Sequence, residues 1–323
     1  MSRFVFIFCF VSNWIVAQSF APKPGEIGST AIYKDSSIIV NWANHVEVYR
    51  GYMDITNPSL GFVTNGNPSA GVGKAEGNSY DIISLGDSGV AIITFERPIE
   101  NGVGVDFAVF ENGFADDYLE LAFVEVSSDG VNFVRFPATS EASTTIQTGP
   151  YEFSDCRFFN NLAGKYKQGY GTPFDLEELK DSIGIDLMNI THVKLIDVIG
   201  TIDEQFGSFD QYGNVINDLY PTGFASGGFD LDAVAVINEG PLFLDETSNS
   251  QYKIYPNPTK NKIHIKSNGE TSISISNITG NIVSEFIFLD EKTYHFNSLP
   301  NGVYFVKLKK NNSLKVIKVI VEK

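Results

Sequence analysis

The chain reads as all-β: a jelly-roll-like β-sandwich domain followed by a small C-terminal β-sandwich. Three observations predict this. Apolar residues come in short β-branched or aromatic runs bounded by Gly, Asn, Asp or Pro. Only one stretch, Pro173 to Ile183, carries a helical pattern, with Phe174, Leu176 and Leu179 apolar among Asp175, Glu177, Glu178 and Lys180 and with Gly184 as its stop. No repeat of fixed period occurs, which counts against a propeller or solenoid.

Taken in order, residues 1–17 have the layout of a signal peptide. Arg3 supplies a basic start, Phe4 to Val11 an apolar run too short to span a bilayer, and Ile15-Val16-Ala17 a small-residue cleavage site before Gln18. Cys9 lies inside the apolar run, so no lipid-attachment cysteine follows the cleavage site. Removal of the leader leaves Cys156 as the only cysteine, and a single cysteine forms no intramolecular disulfide. No other stretch approaches eighteen apolar residues, so no integral membrane segment is expected.

Residues 18–240 form the expected first domain. Its strand candidates are Ser37 to Val40, His45 to Tyr49, Tyr80 to Leu85, Val90 to Phe95, Val103 to Phe110, Ala122 to Ser128, Phe133 to Phe136, His192 to Ile199 and Phe229 to Val236. The Asp129-Gly130 step between two of them suits a tight hairpin, which needs residues that tolerate positive φ. A polar linker is expected over 241–251, where Asp245-Glu246-Thr247-Ser248-Asn249-Ser250-Gln251 offers no core residues.

Charge divides the chain at the same place. Residues 18–245 hold 33 Asp and Glu against 11 Lys and Arg, a balance of −22, whereas residues 246–323 hold 6 against 11, a balance of +5. The surface of the first domain therefore repels phosphate backbones and anionic lipid, and no nucleic-acid partner is expected. Cations, neutral sugars or a positively charged partner fit it better.

Residues 252–323 read as a second all-β module. Pro256 and Pro258 impose an extended, non-helical lead. Short alternating runs follow at Ile263 to Ile265, Ile273 to Ser276, Ile282-Val283, Val303 to Val306 and Val316 to Ile320, separated by turns at Asn268-Gly269, Thr279-Gly280-Asn281 and Pro300-Asn301-Gly302. Four landmarks occur in order: the lead Tyr255-Pro256-Asn257-Pro258, the Gly280 turn, the run Leu299-Pro300-Asn301-Gly302-Val303-Tyr304, and the closing Lys315 to Lys318 strand. In these the module resembles the type A C-terminal sorting domain of the Bacteroidetes type IX secretion system. The resemblance implies export through the periplasm, recognition by the type IX secretion machinery at the outer membrane, and release or attachment at the cell surface.

The cargo carries its own resemblance. The segment Asp106 to Phe114, the hairpin Val124 to Phe133, and the run Tyr220 to Val234 with its Gly223 to Gly228 loop are similar to uncharacterised bacterial cell-surface β-sandwich proteins. The hairpin itself resembles those of discoidin-type and related carbohydrate-binding sandwiches. Some of the surface proteins accompany cobalamin-uptake systems, which implies cobalamin as an alternative ligand.

Two sets of candidate site residues emerge. Asp230 and Asp232 are two apart in a strand and should share a face, with Glu111 and Asn112 at the end of another strand. Asp116 and Asp117 extend this oxygen-rich group, and hard oxygen ligands converging from several loops are what Ca²⁺ takes. A structural Ca²⁺ site at Glu111, Asn112, Asp230 and Asp232 is expected, against the alternative of solvated acidic loops. The second set comes from the aromatic-rich interval after Gly149, where Tyr166, Tyr170 and Tyr212 are expected to stack on a ligand and Asn160 and Asp210 to orient it. Catalysis has no motif behind it: His45 and His192 lie in strand-like runs, Gly223 to Gly227 lacks the nucleophile-elbow spacing, and Gly71 to Gly77 misses both phosphate-loop and dinucleotide spacings. The sequence thus points to a non-catalytic, exported ligand-binding protein, carbohydrate first. Cobalamin capture, a structural or adhesive role, and a glycoside hydrolase using Glu111 with Asp232 are the alternatives.

Overall fold

The computed structural model describes residues 20–240, 252–310 and 313–323. The expected signal peptide, 1–17, and linker, 241–251, lie outside the described residues. The chain forms two compact units, Met1–Leu242 and Phe243–Lys323. Among the described residues no helix is long and apolar enough to cross a membrane.

The first unit opens with β1 (Ile32–Tyr33), β2 (Asn41–Trp42), β3 (His45–Tyr49), β4 (Ile83–Ser84) and β5 (Val90–Ile99). Next come β6 (Phe107–Glu111), β7 (Ala122–Ser127), β8 (Val134–Arg135), β9 (Thr139–Ser140) and β10 (Phe159–Asn160). It ends with β11 (Leu162–Ala163), β12 (Tyr170–Phe174), β13 (Ile190–Asp197) and β14 (Asp230–Val236). They build two antiparallel six-stranded sheets. One runs β1-β12-β6-β14-β2 with β4 also on β14, and the other runs β11-β7-β13-β5-β3 with β8 on β7. A two-stranded β9-β10 ribbon stands apart.

Both sheets contribute to one core. Phe107, Val109, Phe174, Val234 and Val236 of the first meet Ala91, Ile93, Val124, Val126, Val193 and Leu195 of the second. At its centre Phe107, Phe136 and Phe174 form an aromatic trio with ring centroids 5.0 to 5.9 Å apart. The outer faces are covered too. Ala108, Phe110, Ala233 and Ala235 pack with Ala75 on one side, and Phe123 packs with Cys156, Phe159, Leu162 and Tyr166 under the long loops on the other. Strands β6, β7 and β14 are therefore buried on both faces, and their sequences are apolar on both faces but for Glu111, Glu125, Ser127, Asp230 and Asp232.

The helix expected over Pro173 to Ile183 is corrected. Pro173 and Phe174 lie in β12, in register with Ala108 and Phe107, and only Leu176–Leu179 forms a 3₁₀ turn. Two fixed points decide it: Phe174 is held by the aromatic trio, and the Leu176 amide donates to Asp106 Oδ2 at 2.7 Å. Asp175 then caps the single turn by accepting from Glu177 N–H. The predicted start of β6 is also too early, because Val103 is fully exposed and pairing begins at Phe107.

The second unit is a single five-stranded antiparallel sheet of β15 (Lys253–Tyr255), β16 (Lys262–Asn277), β17 (Ile282–His295), β18 (Gly302–Lys310) and β19 (Ser313–Val321). Strand β16 changes partner along its length, pairing β15 with its first half and β18 with its second while β17 follows both. Its register shifts between Lys266 and Glu270, and Ile263 and Ile265 share one core with Ile273, Ile275, Tyr304, Val306, Leu308, Val319 and Val321. The sheet thus encloses its own apolar interior.

The aromatic trio should dominate the stability of the first unit. Phe174→Ala is expected to cost about 3–5 kcal/mol in urea unfolding, whereas Val103→Ala, at a fully exposed position, should leave the midpoint unchanged.

Candidate functional site

The long loops of the first unit make few ladder hydrogen bonds, and buried carboxylates take over that work. Asp106 accepts from Gly102 N–H, Leu176 N–H and the Asn238 amide. Asp87 accepts from Ile55 N–H at 2.7 Å, and Asp197 from Phe229 N–H at 2.6 Å and Ser88 N–H at 3.2 Å. Asp218 accepts from Leu121 N–H at 2.8 Å, and Asp210 from the amides of Ser140, Tyr212 and Asn214. Each of these acids fixes a loop to the sandwich by accepting backbone N–H groups that no strand satisfies.

Asp232 is likewise bonded to backbone N–H groups and Glu125 is paired with Arg135 and Lys194, which leaves three buried acids gathered near the end of β6. Glu111 ends β6 and Asp230 begins β14, while Glu120 precedes β7. Asn112 Nδ2 donates to Asp230 Oδ2 at 3.0 Å, and Gly113 N–H donates to Glu111 Oε2 at 2.7 Å. A side chain at Gly113 would strike the Tyr118 carbonyl, its Cβ coming within 2.7 Å, so this turn demands glycine. Asp230 Oδ1 and Glu111 Oε1 are buried without a partner. Glu120 is 8% exposed, and no described residue donates to its carboxylate.

Glu120 and Asp230 line a cleft of about 370 Å³ with Asn112, Ser79, Thr222 and Ser226. Its rim is aromatic: Phe114 and Tyr118 lie 4.3 Å apart by ring centroid, and Tyr151 and Phe224 5.9 Å apart. The Tyr118 hydroxyl donates to the Pro150 carbonyl at 3.2 Å, which ties the two walls together. Phe114, Tyr151 and Phe224 are exposed. Exposed rings above buried acceptors can stack on an apolar face and take hydrogen bonds from hydroxyl or amino groups below it.

Of the expected metal ligands, the fold brings together Glu111, Asn112 and Asp230 and sends Asp232 elsewhere. A register shift between Leu231 and Ala233 separates the two aspartates, and Asp232 accepts from Glu76 N–H at 3.0 Å and Gly77 N–H at 2.9 Å. Among the described residues no group of three or more His, Cys, Asp or Glu side chains is placed to hold a metal ion.

The expected ligand-stacking set is dispersed. Tyr166 is 1% exposed, packed in the core with its hydroxyl 2.9 Å from Thr30 Oγ1, so it cannot stack on a ligand. Tyr170 is half-buried against Tyr33, Asn160 pairs with Thr139 in the β9-β10 ribbon, and Asp210 is a loop clamp. Tyr212 alone of the three tyrosines is freely exposed, at 72%. None of these lines the cleft. Glu120, Phe114, Tyr118 and Phe224 were not anticipated as site residues. The available signal was a glutamate set in the otherwise apolar run Leu119-Glu120-Leu121-Ala122, ahead of a strand.

In the second unit the landmark residues stitch the lead to the last strand. Asn257 donates from Nδ2 to the Lys318 carbonyl at 2.7 Å and accepts at Oδ1 from Ile320 N–H at 2.9 Å. Thr259 pairs with Val321, so the lead that Pro256 and Pro258 extend becomes a parallel neighbour of β19. Gly280, at φ 82°, closes the turn whose Asn277 Oδ1 accepts from Thr279 and Asn281 N–H. Buried Tyr304 donates to the Pro300 carbonyl at 2.8 Å, Leu299 packs on the core, and Gly302 begins β18 in register with Val321.

The landmarks thus tie the lead to the last strand, close the turn between β16 and β17, and fix the entry to β18. Residues 253–322 match the family described as secretion system C-terminal sorting domain, and the C-terminal unit is a type IX sorting domain. The protein is therefore directed by the type IX machinery to the cell surface or the extracellular space. No curated protein matches the sequence. Among solved structures, the β-glucuronidase of Ruminococcus gnavus is 10% identical, with 88% of this chain and 45% of that chain covered and a TM-score of 0.20. Parabacteroides merdae β-glucuronidase is 10% identical, with 94% and 36% covered and a TM-score of 0.22. The BSP domain of a biofilm associated protein is 10% identical, with 72% and 48% covered and a TM-score of 0.19. This chain spans less than half the length of each, and likenesses this slight carry no argument about fold or function.

Burial sets the electrostatics of the cleft. It raises Glu111 and Glu120 well above the ordinary carboxylate range, and the Asp230 charge adds to both. Asp230 is pushed up to about 7 by burial, against the pull of the Ser84 hydroxyl, the Asn112 amide and the Arg50 charge. Burial likewise takes Asp218 to about 7, and Asp87 and Asp232 to about 6. Each acid holds its proton more tightly folded than unfolded, so its stabilising contribution is complete below its unfolded value and is lost as pH rises through its folded value. Stability should accordingly fall from pH 5 to pH 8, by at most about 1.4 kcal/mol per pH unit for each group. Asp218→Asn, which keeps an acceptor for Leu121 N–H, should flatten that slope in urea unfolding at pH 5, 6, 7 and 8. A wild-type stability that climbs with pH across this window would count against the assignment.

Proposed function

We propose that the cargo unit is a non-catalytic carbohydrate-binding module, displayed at the cell surface or released from it, and that the cleft between the Phe114–Tyr118 and Tyr151–Phe224 pairs is its binding site. The observation that carries this reading is the pairing of an exposed aromatic rim with buried oxygen acceptors that no protein donor satisfies. Sugars present an apolar C–H face and a ring of hydroxyl donors, the two chemistries such a cleft offers. Its volume of about 370 Å³ lies at the small end of the roughly 300–1,000 Å³ range of small-molecule sites. That size favours a saccharide unit over the corrin macrocycle of cobalamin.

In this proposal the protein reaches its destination by a leader at residues 1–17, passage through the periplasm and recognition of the C-terminal unit. Ca²⁺ has a lesser claim on the same acids: Glu111, Asn112 and Asp230 offer fewer oxygens than the six to eight the ion takes, so water would have to complete its shell.

On a glycan array the wild-type chain should give discrete hits, and Tyr151→Ala with Phe224→Ala should weaken them by about tenfold or more, since ring stacking and its buried area are worth on the order of 1–3 kcal/mol. EDTA should leave the hits and the melting temperature unchanged, and the same glycans should release no new reducing ends. Unaltered binding by the double variant sinks the cleft assignment, a fall in melting temperature with EDTA restores the metal, and reducing-end release makes the protein a hydrolase. Deleting residues 252–323 should hold the cargo inside the cell envelope, as cell fractionation would reveal. Surface display of the truncated chain would remove the export role from the C-terminal unit.

A further inference from the structure

The cleft's acids differ from the unit's other buried acids, of which Glu125 is paired with Arg135 and Lys194. Asp87, Asp106, Asp197, Asp210, Asp218 and Asp232 each accept at least one backbone N–H. Glu120 accepts nothing from the described residues although it is more than nine-tenths buried and lines the cleft, and Asp230 Oδ1 beside it has no partner. Behind them Glu111 Oε1 is also unpartnered. Among the described residues no lysine or arginine lines the cleft. The guanidinium that most influences Asp230 belongs to Arg50, and it is occupied with the carbonyls of Asn65, Gly66 and Ser84.

Without a countercharge these buried acids hold their protons, and a neutral sugar would leave them so, whereas a cation lets Glu120 and Asp230 ionise against it. A protonated amine supplies the charge together with three N–H donors. The flanking Phe114 and Tyr118 rings favour it further, because aromatic faces attract cations. We infer that the ligand is an amino sugar with a free ammonium group, its ring against the aromatic rim and its nitrogen at Glu120 and Asp230. This assignment rests on the carbohydrate-binding reading of the same cleft and narrows it.

Isothermal titration of the full chain with glucosamine and galactosamine, against glucose, galactose and the N-acetylated forms, tests it. The free amines should bind at least about tenfold tighter than either neutral set. Glu120→Gln, which preserves shape and removes charge, should abolish that preference while keeping the wild-type circular dichroism spectrum. The comparison between sugars on the unaltered chain requires no variant to fold. Equal or tighter binding of the neutral or acetylated sugars overturns the amine assignment and leaves carbohydrate binding standing, whereas an array blank for every glycan removes both. Spermidine binding as tightly as glucosamine would mean that charge alone is read, and would also overturn the amino-sugar assignment.

Discussion

The pairing of β6 with β14 is the constraint on which the first unit depends. These central strands are buried on both faces, so their register decides which side chains enter the core between the sheets and which meet the covering loops. Val109 opposite Val234 and Phe107 opposite Val236 set the inner face, and Ala108 opposite Ala235 sets the outer one. The register shift between Leu231 and Ala233 then places Asp232 against the Glu76-Gly77 loop and leaves Asp230 with Asn112. A ladder continued without that shift would send both aspartates to one face. The irregularity therefore makes one acid a loop fastener and the other part of the cleft.

That division gives the cargo's acidity a physical meaning. A sandwich with long connections must find partners for many backbone amides that no strand satisfies. Here aspartates supply them, Asp87 and Asp218 for one amide each and Asp106, Asp197, Asp210 and Asp232 for two or more. The arrangement substitutes for staples in a unit whose described residues include a single, buried cysteine. It also separates acids that serve the fold from acids that do not: a buried carboxylate saturated with N–H donors explains its own burial, whereas Glu120 and Asp230 Oδ1 do not. The cleft stands out because its acceptors are unmet, more than because it is acidic.

Sequence reading succeeded where local chemistry determines the outcome. His45 to Tyr49 and the β-branched runs of β5, β7, β13 and β14 declared themselves, since such residues fit a pleated, buried surface. The C-terminal landmarks were legible because each does its work within the module: Asn257 bonds β19 from both sides of its amide, and Tyr304 reaches Pro300 four residues away. Short β9 to β12 were missed because tertiary pairing creates them, Gly171 lying over the Phe110 ring and Phe174 drawn into the trio. The Phe174, Leu176 and Leu179 spacing mimicked a helix because all three are buried, by a strand and a 3₁₀ turn in succession. Tyr166 was misjudged for a related reason: an aromatic in a loop-rich interval can belong to the layer beneath the loops, and only the position of Phe123 and Phe159 reveals that layer.

The two units also differ in how they use polar side chains. In the C-terminal unit the landmark Asn257 and Tyr304 spend their hydrogen bonds on the unit's own backbone, and its apolar interior is self-contained. A label built that way can follow an unrelated cargo without borrowing contacts from it. In the first unit some polar capacity is withheld from the fold, at a desolvation cost that burial of Glu111, Glu120 and Asp230 makes plain. Unmet acceptors in a folded core are expensive, and packing alone supplies no reason to keep three of them together beneath exposed rings. A ligand that met Glu120 and Asp230, the two acids lining the cleft, would recover part of that cost, so the feature that weakens the empty unit would strengthen an occupied one.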